Sequence, residues 1–300
     1  MDLDPIPFAE WLPDLPTLGS GSPSIKNVIP GSAGYKQFLG LSVYSGALTA
    51  YSRGAVSMKD TSGTTYNFSG DETKLYSLSG TTWSDVSKTA VGAYATASAE
   101  QWEFAKWGDK CIATNFTNNV QIKSLTSGNF GDLTGSPPKA RHIAVVRDFV
   151  VLGNVGSVPN KIQWSGINDE TAWTASAATQ SDSQTLQGNG GDVQAIVGGD
   201  RGFVFQQHAI WQMTYIGSPV VFQLDQIEGS RGAFAPKSVI KVGSIIYFLA
   251  DDGFYKLEGG SSVPIGANKI DKTFFNDLDS TNSHRINAIA DISNKLIVWA

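Results

Sequence analysis

"KSVIKVGSIIYFLADDGFYKLEGG" (237–260) contains three apolar runs separated by two tight polar turns, Gly243-Ser244 and Asp252-Gly253. The runs are rich in Val, Ile, Tyr and Phe, which suit a pleated, half-buried surface, and the turns carry residues that tolerate positive φ. The segment is therefore predicted to be a strand meander. "WEFAKWGDKCIATNFTNNVQIKSL" (102–125) and "VQAIVGGDRGFVFQQHAIWQMTY" (193–215) have the same form. Aligning the first strand of each copy at Ala55, Phe104, Ile143, Ala195, Val239 and Ala288 gives steps of 49, 39, 52, 44 and 49 residues. A four-stranded propeller blade repeats at about 40 to 50 residues. "TTWSDVS" (81–87), "GNFGDLTG" (128–135), "TAWTAS" (171–176) and "VVFQLDQI" (220–227) fill the fourth-strand slot of successive units. The fold class is thus all-β: a β-propeller over residues 35–300, built from four-stranded antiparallel blades that manage their edges by radial closure.

The sixth unit shows a first strand, "INAIADIS" (286–293), and a second, "KLIVWA" (295–300), and ends there. Two readings stay open. Either "YKQFLGLSVYSG" (35–46) supplies the remaining strands as an N-terminal clasp closing a six-bladed ring, or the natural chain continues past Ala300. Residues 1–34 differ from the rest, with Pro5, Pro7, Pro13, Pro16, Pro23 and Pro30 spaced among Phe8, Trp11, Leu12 and Leu15. Proline at this density forbids helix and favours an extended arm. The arm's apolar side chains either lie along their own domain or dock on a neighbour, and Phe8, Trp11, Leu12 and Leu15 are the candidate partner-binding residues. The only helical candidate is "NKIDKTFFNDLD" (268–279), read as a helical turn or a loop.

Of the 300 residues, 41% are hydrophobic and 16% charged, and 32 are glycine, which suits many short strands and turns. The net charge of −5 is dispersed, without the clustered Lys and Arg of a nucleic-acid-binding face. Such a surface is compatible with DNA only as passing cargo. Cys111 is the sole cysteine, lies in a strand, and reads as a buried inert thiol. The first residues, acidic and Pro-rich, do not form a secretory signal, and no apolar stretch reaches the ~18 residues of a membrane helix, so stable membrane insertion is not expected. The sequons at Asn67 and Asn115 carry little weight without such a signal.

The search for chemistry finds little. His142, His208 and His284 sit in different repeats without a second ligand at metal spacing, so no metal or other cofactor is expected. The glycines of "GSGS" (19–22) and "GNGGD" (188–192) lack the spacing and following helix of a phosphate or dinucleotide site. Asp109, Asp148, Asp200 and Asp251 are candidates for a glycosidase pair, which needs carboxylates roughly 5 to 9 Å apart. They recur, however, at the turn after strand one or two of successive units, which is turn chemistry; a catalytic pair would be unique. "YSLSGTTW" (76–83) places Leu78 where a sialidase Asp-box needs aspartate. Trp102, Trp107, Trp164, Trp173 and Trp211 lie within strands, where core packing competes with sugar stacking. No catalytic residue emerges, and the chain is read as a non-enzyme.

"SPPKARHIAVVRDFVVLGNV" (136–155), "QWSGINDETAWT" (163–174), "HAIWQMTYIGSPVVFQLDQIEGSRGAFAPKSVIKVGSIIYFLADDGFYKLEG" (208–259) and the opening "NVIPGSAGYKQFLGLSVYSGAL" (27–48) together resemble a family of tail proteins of short-tailed bacteriophages. The resemblance implies a tail nozzle, or tail-tube, protein with a propeller body. Six copies would form a ring below the head-to-tail adaptor, continue the DNA ejection channel and contact tail fibres or needle. It also implies assembly into the virion after synthesis in the bacterial host cytoplasm, and no motif in it assigns channel residues. The alternative is a propeller that binds or degrades a glycan in host-surface recognition.

Overall fold

The computed structural model describes residues 9–15, 21–31, 34–89 and 94–300. Contacts divide the chain into two compact units: Val43–Gly232, and Met1–Ser42 together with Ala233–Ala300. In chain order the second unit opens with a two-stranded antiparallel hairpin, β1 (Val28–Gly31) and β2 (Gly34–Gln37).

Val43–Gly232 holds four consecutive sheets, each a four-stranded antiparallel meander of the propeller-blade kind. The first is β3 (Ala55–Lys59), β4 (Thr65–Gly70), β5 (Leu75–Ser79) and β6 (Thr82–Asp85). The second is β7 (Glu103–Trp107), β8 (Lys110–Thr114), β9 (Gln121–Ser124) and the two-residue β10 (Gly131–Asp132). The third is β11 (Ala140–Val146), β12 (Phe149–Val155), β13 (Val158–Trp164) and β14 (Asp182–Thr185). The fourth is β15 (Val193–Val197), β16 (Gly202–Gln206), β17 (Ile210–Gly217) and β18 (Val221–Glu228). The unit of Met1–Ser42 and Ala233–Ala300 carries a fifth such sheet, β19 (Ile240–Val242), β20 (Ile245–Leu249), β21 (Phe254–Glu258) and β22 (Ser261–Pro264). There follow one short helix, α1 (Asp271–Asp277), and a last hairpin, β23 (Ala288–Asp291) with β24 (Leu296–Trp299). Among the described residues, five four-stranded sheets and the β23–β24 hairpin fall where the repeats do, and the first strand of each begins within three residues of the position predicted from spacing. No helix among the described residues is long and apolar enough to cross a membrane.

Burial between successive sheets holds Val43–Gly232 together. Met58, Phe68, Leu75, Trp102, Cys111 and Ala113 fill the space between the first and second sheets. Ala105, Ile112, Ile143, Val150 and Leu152 do so between the second and third, and Val151, Trp164, Val193, Val204 and Phe222 between the third and fourth. The second strand of the third sheet, β12, is buried along its whole length because both of its faces meet a neighbour. Trp102 is the largest side chain of the first core. Its indole nitrogen donates to the Asp71 carbonyl (2.9 Å), and its ring meets Tyr94 edge-on at 5.1 Å. A Cβ at Gly70 would collide with that indole, so the absence of a side chain there is a packing requirement.

Two predicted features fall elsewhere, and the one helical candidate is helical. "TAWTAS" is not the third sheet's last strand; that role falls to β14, several residues later. Asp169 accepts from the Thr171 backbone N–H (2.9 Å) and hydroxyl (2.6 Å), and Trp173 donates to the Glu170 carbonyl (2.7 Å), so local turn chemistry curls the segment. Residues 35–46 do not form two strands beside β24. Their first residues pair instead with β1, which also sets a strand across the predicted boundary at residue 34. The remainder belongs to no strand, and β24 pairs only with β23. "NKIDKTFFNDLD" does form a helix, α1, of seven residues.

Candidate functional site

The recurring aspartates lie in the turns between strands. The Asp109 carboxylate, in the β7–β8 turn, accepts from the Thr61 backbone N–H (2.9 Å) and hydroxyl (2.7 Å), tying that turn to the β3–β4 turn of the preceding sheet. Asp148 and Asp200 occupy the matching turns of the third and fourth sheets, and Asp251 lies in the β20–β21 turn. His142 is buried, with Nδ1 3.0 Å from Glu103, whose other oxygen accepts from the Ile143 N–H (3.1 Å). Among the described residues no three His, Cys, Asp or Glu side chains gather as a metal site. Cys111 is fully buried, and burial pushes its thiol up to about 12. Asn115 is buried, and its side-chain amide donates to Thr96 (2.9 Å) and Asn118 (3.0 Å).

The tryptophans repeat the pattern. Trp102, Trp164 and Trp173 are buried. The half-buried Trp107 and Trp211 donate to Glu170 (2.9 Å) and Gln206 (2.7 Å). Burial pushes the Glu170 carboxyl up, but the Lys110 ammonium and the Trp107 indole outweigh it and hold the group below the usual range. Lys110 with Glu170 is thus an ion pair within the fold.

The Pro-rich segment has a definite place. Phe8 lies outside the described residues. Ile270 holds the N-cap position of α1, and its side chain cannot cap the helix. The free N–H groups are taken by Asp14: Lys272 N donates to one carboxylate oxygen (2.8 Å), and Thr273 N (2.9 Å) and the Thr273 hydroxyl (2.7 Å) donate to the other. Burial raises the Asp14 pKa, but these hydrogen bonds outweigh it and hold the carboxyl below the ordinary value. Asp271, the first helical residue, moves the opposite way. Burial raises it most, Asp14 and Asp252 add to the rise, and the Phe254 N–H only partly opposes it. Lys269 reaches Glu10 (2.8 Å), and the Trp11 N–H donates to the Tyr35 hydroxyl (2.8 Å). Residues 10–15 therefore lie along their own unit. Leu12 and Leu15 are half-buried there, Leu12 against Gly21.

Trp11 stays exposed and, with Phe254, Ile265, Ile270, Phe274 and Trp299, lines a cleft of about 570 Å³ whose lining also includes Asp277. Phe254 meets Phe274 edge-on at 4.9 Å and Trp299 at 5.1 Å, while the Trp299 indole N–H donates to the Ser238 carbonyl (3.1 Å). Only Trp11 of this set was singled out from the sequence, because Trp299 and Phe274 join it through contacts more than 250 residues apart in the chain.

A second surface feature follows the β1–β2 hairpin. Leu39, Leu41, Val43 and Tyr44 are 85%, 94%, 93% and 74% exposed. Phe38 N donates to the Asn27 carbonyl (2.9 Å), and Gly46 N to the Thr81 carbonyl (2.8 Å). Between these ties the chain forms no ladder.

No family model and no curated protein matches the chain. Among solved structures, it is similar to the extracellular domain of a hybrid two-component system protein from Bacteroides thetaiotaomicron, at TM-score 0.51 and 11% identity, over 74% of this chain and 28% of that one. It is also similar to the computationally designed Ika8 protein (TM-score 0.46, 12% identity, 73% and 62% covered). A third similarity is to the Cps50 (Swd1) β-propeller domain of Myceliophteria thermophila (TM-score 0.46, 12% identity, 70% of each chain). The chain spans less than two thirds of the length of the first two of these. At such identities the likeness concerns the fold alone: an all-β chain of mostly four-stranded antiparallel sheets.

Proposed function

We propose that this chain is a structural virion protein, the nozzle or tail-tube component of a short-tailed bacteriophage. Its sheets belong to a six-bladed β-propeller whose sixth blade includes β23 and β24. Six copies form a ring below the head-to-tail adaptor, continue the DNA channel and contact fibres or needle, without catalysing a reaction. The observation that carries this reading is the apolar ribbon after β2: Leu39, Leu41, Val43 and Tyr44 stand in water in the isolated chain, at a cost that a permanent neighbour removes. The engagement of Asp109, Trp107 and Trp211 in holding the sheets, together with the resemblance of residues 136–155, 163–174 and 208–259 to phage tail proteins, supports it. The test is assembly. The full chain mixed with its adaptor and the other tail components forms a ring and shows no turnover; a chain that stays monomeric in that mixture overturns the reading.

The Trp11 cleft favours a second reading, glycan binding. Aromatic side chains and a carboxylate in the lining suit a sugar's apolar face and hydroxyls. On that reading the chain binds polysaccharide from the host strain and loses binding in Trp11→Ala.

A further inference from the structure

Four aromatic rings, those of Trp11, Phe254, Phe274 and Trp299, line the cleft of about 570 Å³, and its charged groups are Asp277 and Asp279. No lysine, arginine or histidine is among the described residues that line it. Most polar groups of the lining are committed elsewhere. The Thr273 hydroxyl donates to Asp14 (2.7 Å), and the Trp299 indole N–H donates to the Ser238 carbonyl (3.1 Å). Asp279 accepts from the Thr281 N–H (3.0 Å) and hydroxyl (2.6 Å) and from the Asn282 amide (2.6 Å). These bonds, led by that of the Thr281 hydroxyl, hold its carboxyl below the ordinary value, so it is ionised at neutral pH. Asp277 ends α1, whose last turn has no basic residue, and its exposed carboxylate has no hydrogen bond or ion pair among the described residues. At the other end of α1, Lys269 pairs with Glu10 and Lys272 acts on Asp14, while Arg285, outside the lining, acts on Asp279.

The cleft thus supplies negative charge and aromatic faces but few free acceptor atoms. A sugar or a primary ammonium entering it gives up hydrogen bonds to water that the lining does not replace, which weakens binding. A quaternary ammonium has no N–H to satisfy. Its charge is spread over methyl groups that pack on aromatic faces, where the ring quadrupole attracts them. We infer that the cleft binds a quaternary ammonium ion of the trimethylammonium type, with Trp11, Phe254, Phe274 and Trp299 as its cage and Asp277 and Asp279 as its counter-charges. The volume falls within the roughly 300 to 1,000 Å³ of small-ligand pockets. Such a site is independent of the nozzle reading and takes a cation where the second reading places a sugar.

The test titrates the full chain with choline chloride by calorimetry, beside the tert-butyl analogue of choline, in which carbon replaces the charged nitrogen at the same shape. Choline and tetramethylammonium bind, and the neutral analogue binds at least about tenfold more weakly. Trp11→Ala weakens choline binding about tenfold, while Trp11→Tyr keeps most of the affinity. Asp277→Asn, at an exposed side chain with no partner to lose, weakens choline binding several-fold and leaves the urea midpoint unchanged. Vesicles of phosphatidylcholine, set against phosphatidylglycerol, distinguish the source of the ion. Cosedimentation with the former alone assigns it to a lipid headgroup, and choline binding without cosedimentation assigns it to a soluble ligand. Equal affinity for choline and its neutral analogue, unchanged affinity in both Trp11→Ala and Asp277→Asn, or no choline binding by the folded chain overturns the inference. A folded chain that ignores choline and binds a neutral host polysaccharide overturns it too and leaves the glycan reading standing; ring assembly is unaffected in every case.

Discussion

Gly70→Ala tests whether Trp102 is the stitch between the first and second sheets. The indole is fully buried, donates to the Asp71 carbonyl and packs on Tyr94 and Phe104, so Trp102→Ala removes a large apolar surface and leaves a buried carbonyl without its donor. Truncations of this kind cost about 3 to 5 kcal/mol. In Gly70→Ala the new methyl meets the indole carbons and nitrogen, an overpacking change worth about 1 to 3 kcal/mol. The two effects are not additive, because the collision disappears with the ring. Gly70→Ala placed in the Trp102→Ala background therefore adds only about 0.5 kcal/mol or less, within the spread of independent sites. Urea unfolding of the four proteins, followed by far-ultraviolet circular dichroism, measures the cycle. Equal costs for Gly70→Ala in both backgrounds would refute the packing account.

Other outcomes follow from particular groups. Asp14→Ala leaves the N–H groups of Lys272 and Thr273 uncapped, so their amide hydrogens and those of residues 10–15 exchange faster, while those of β12 do not change. Asp71 accepts from the N–H groups of Thr73 and Lys74 and from the Tyr76 hydroxyl; burial raises its pKa, but these bonds outweigh it and hold it below the ordinary value. A depressed carboxyl contributes stability that is present above the unfolded-state pKa and lost as pH falls through the folded one. The urea midpoint accordingly drops between pH 5 and pH 2, and less steeply in Asp71→Asn; an identical slope in the variant counts against the assignment. With its thiol buried and pushed up to about 12, Cys111 resists iodoacetamide at pH 8.5 in the native protein and reacts only in denaturant.

The blades were legible because their signal is local. Each meander is written in consecutive residues, and turns such as Gly108-Asp109, Arg147-Asp148 and Asp252-Gly253 punctuate it; Arg147 takes a φ of 50°, as a tight hairpin requires. "TAWTAS" misled for a local reason too: its aromatic and small residues imitate a fourth strand, while the Asp169–Thr171 turn just before it curls the chain. The long-range features were not legible. Nothing near Ile270 announces that its helix is capped by Asp14, and nothing near Trp299 announces that Phe254 and Trp11 share its cleft. The apolar alternation of residues 39–44 is visible in the sequence, where a clasp strand is one of two open readings. Its exposure became apparent only in the structure, where β1 had already taken residues 34–37.

On the proposed function, these sheets are a repeating part of a ring. Negative-stain imaging of the native tail particle, with this chain carrying an N-terminal label, tests it most directly. The expected image shows labels spaced symmetrically around the tail axis beneath the adaptor. A single peripheral label, or a chain that remains a monomer outside the particle when every tail component is present, would contradict it.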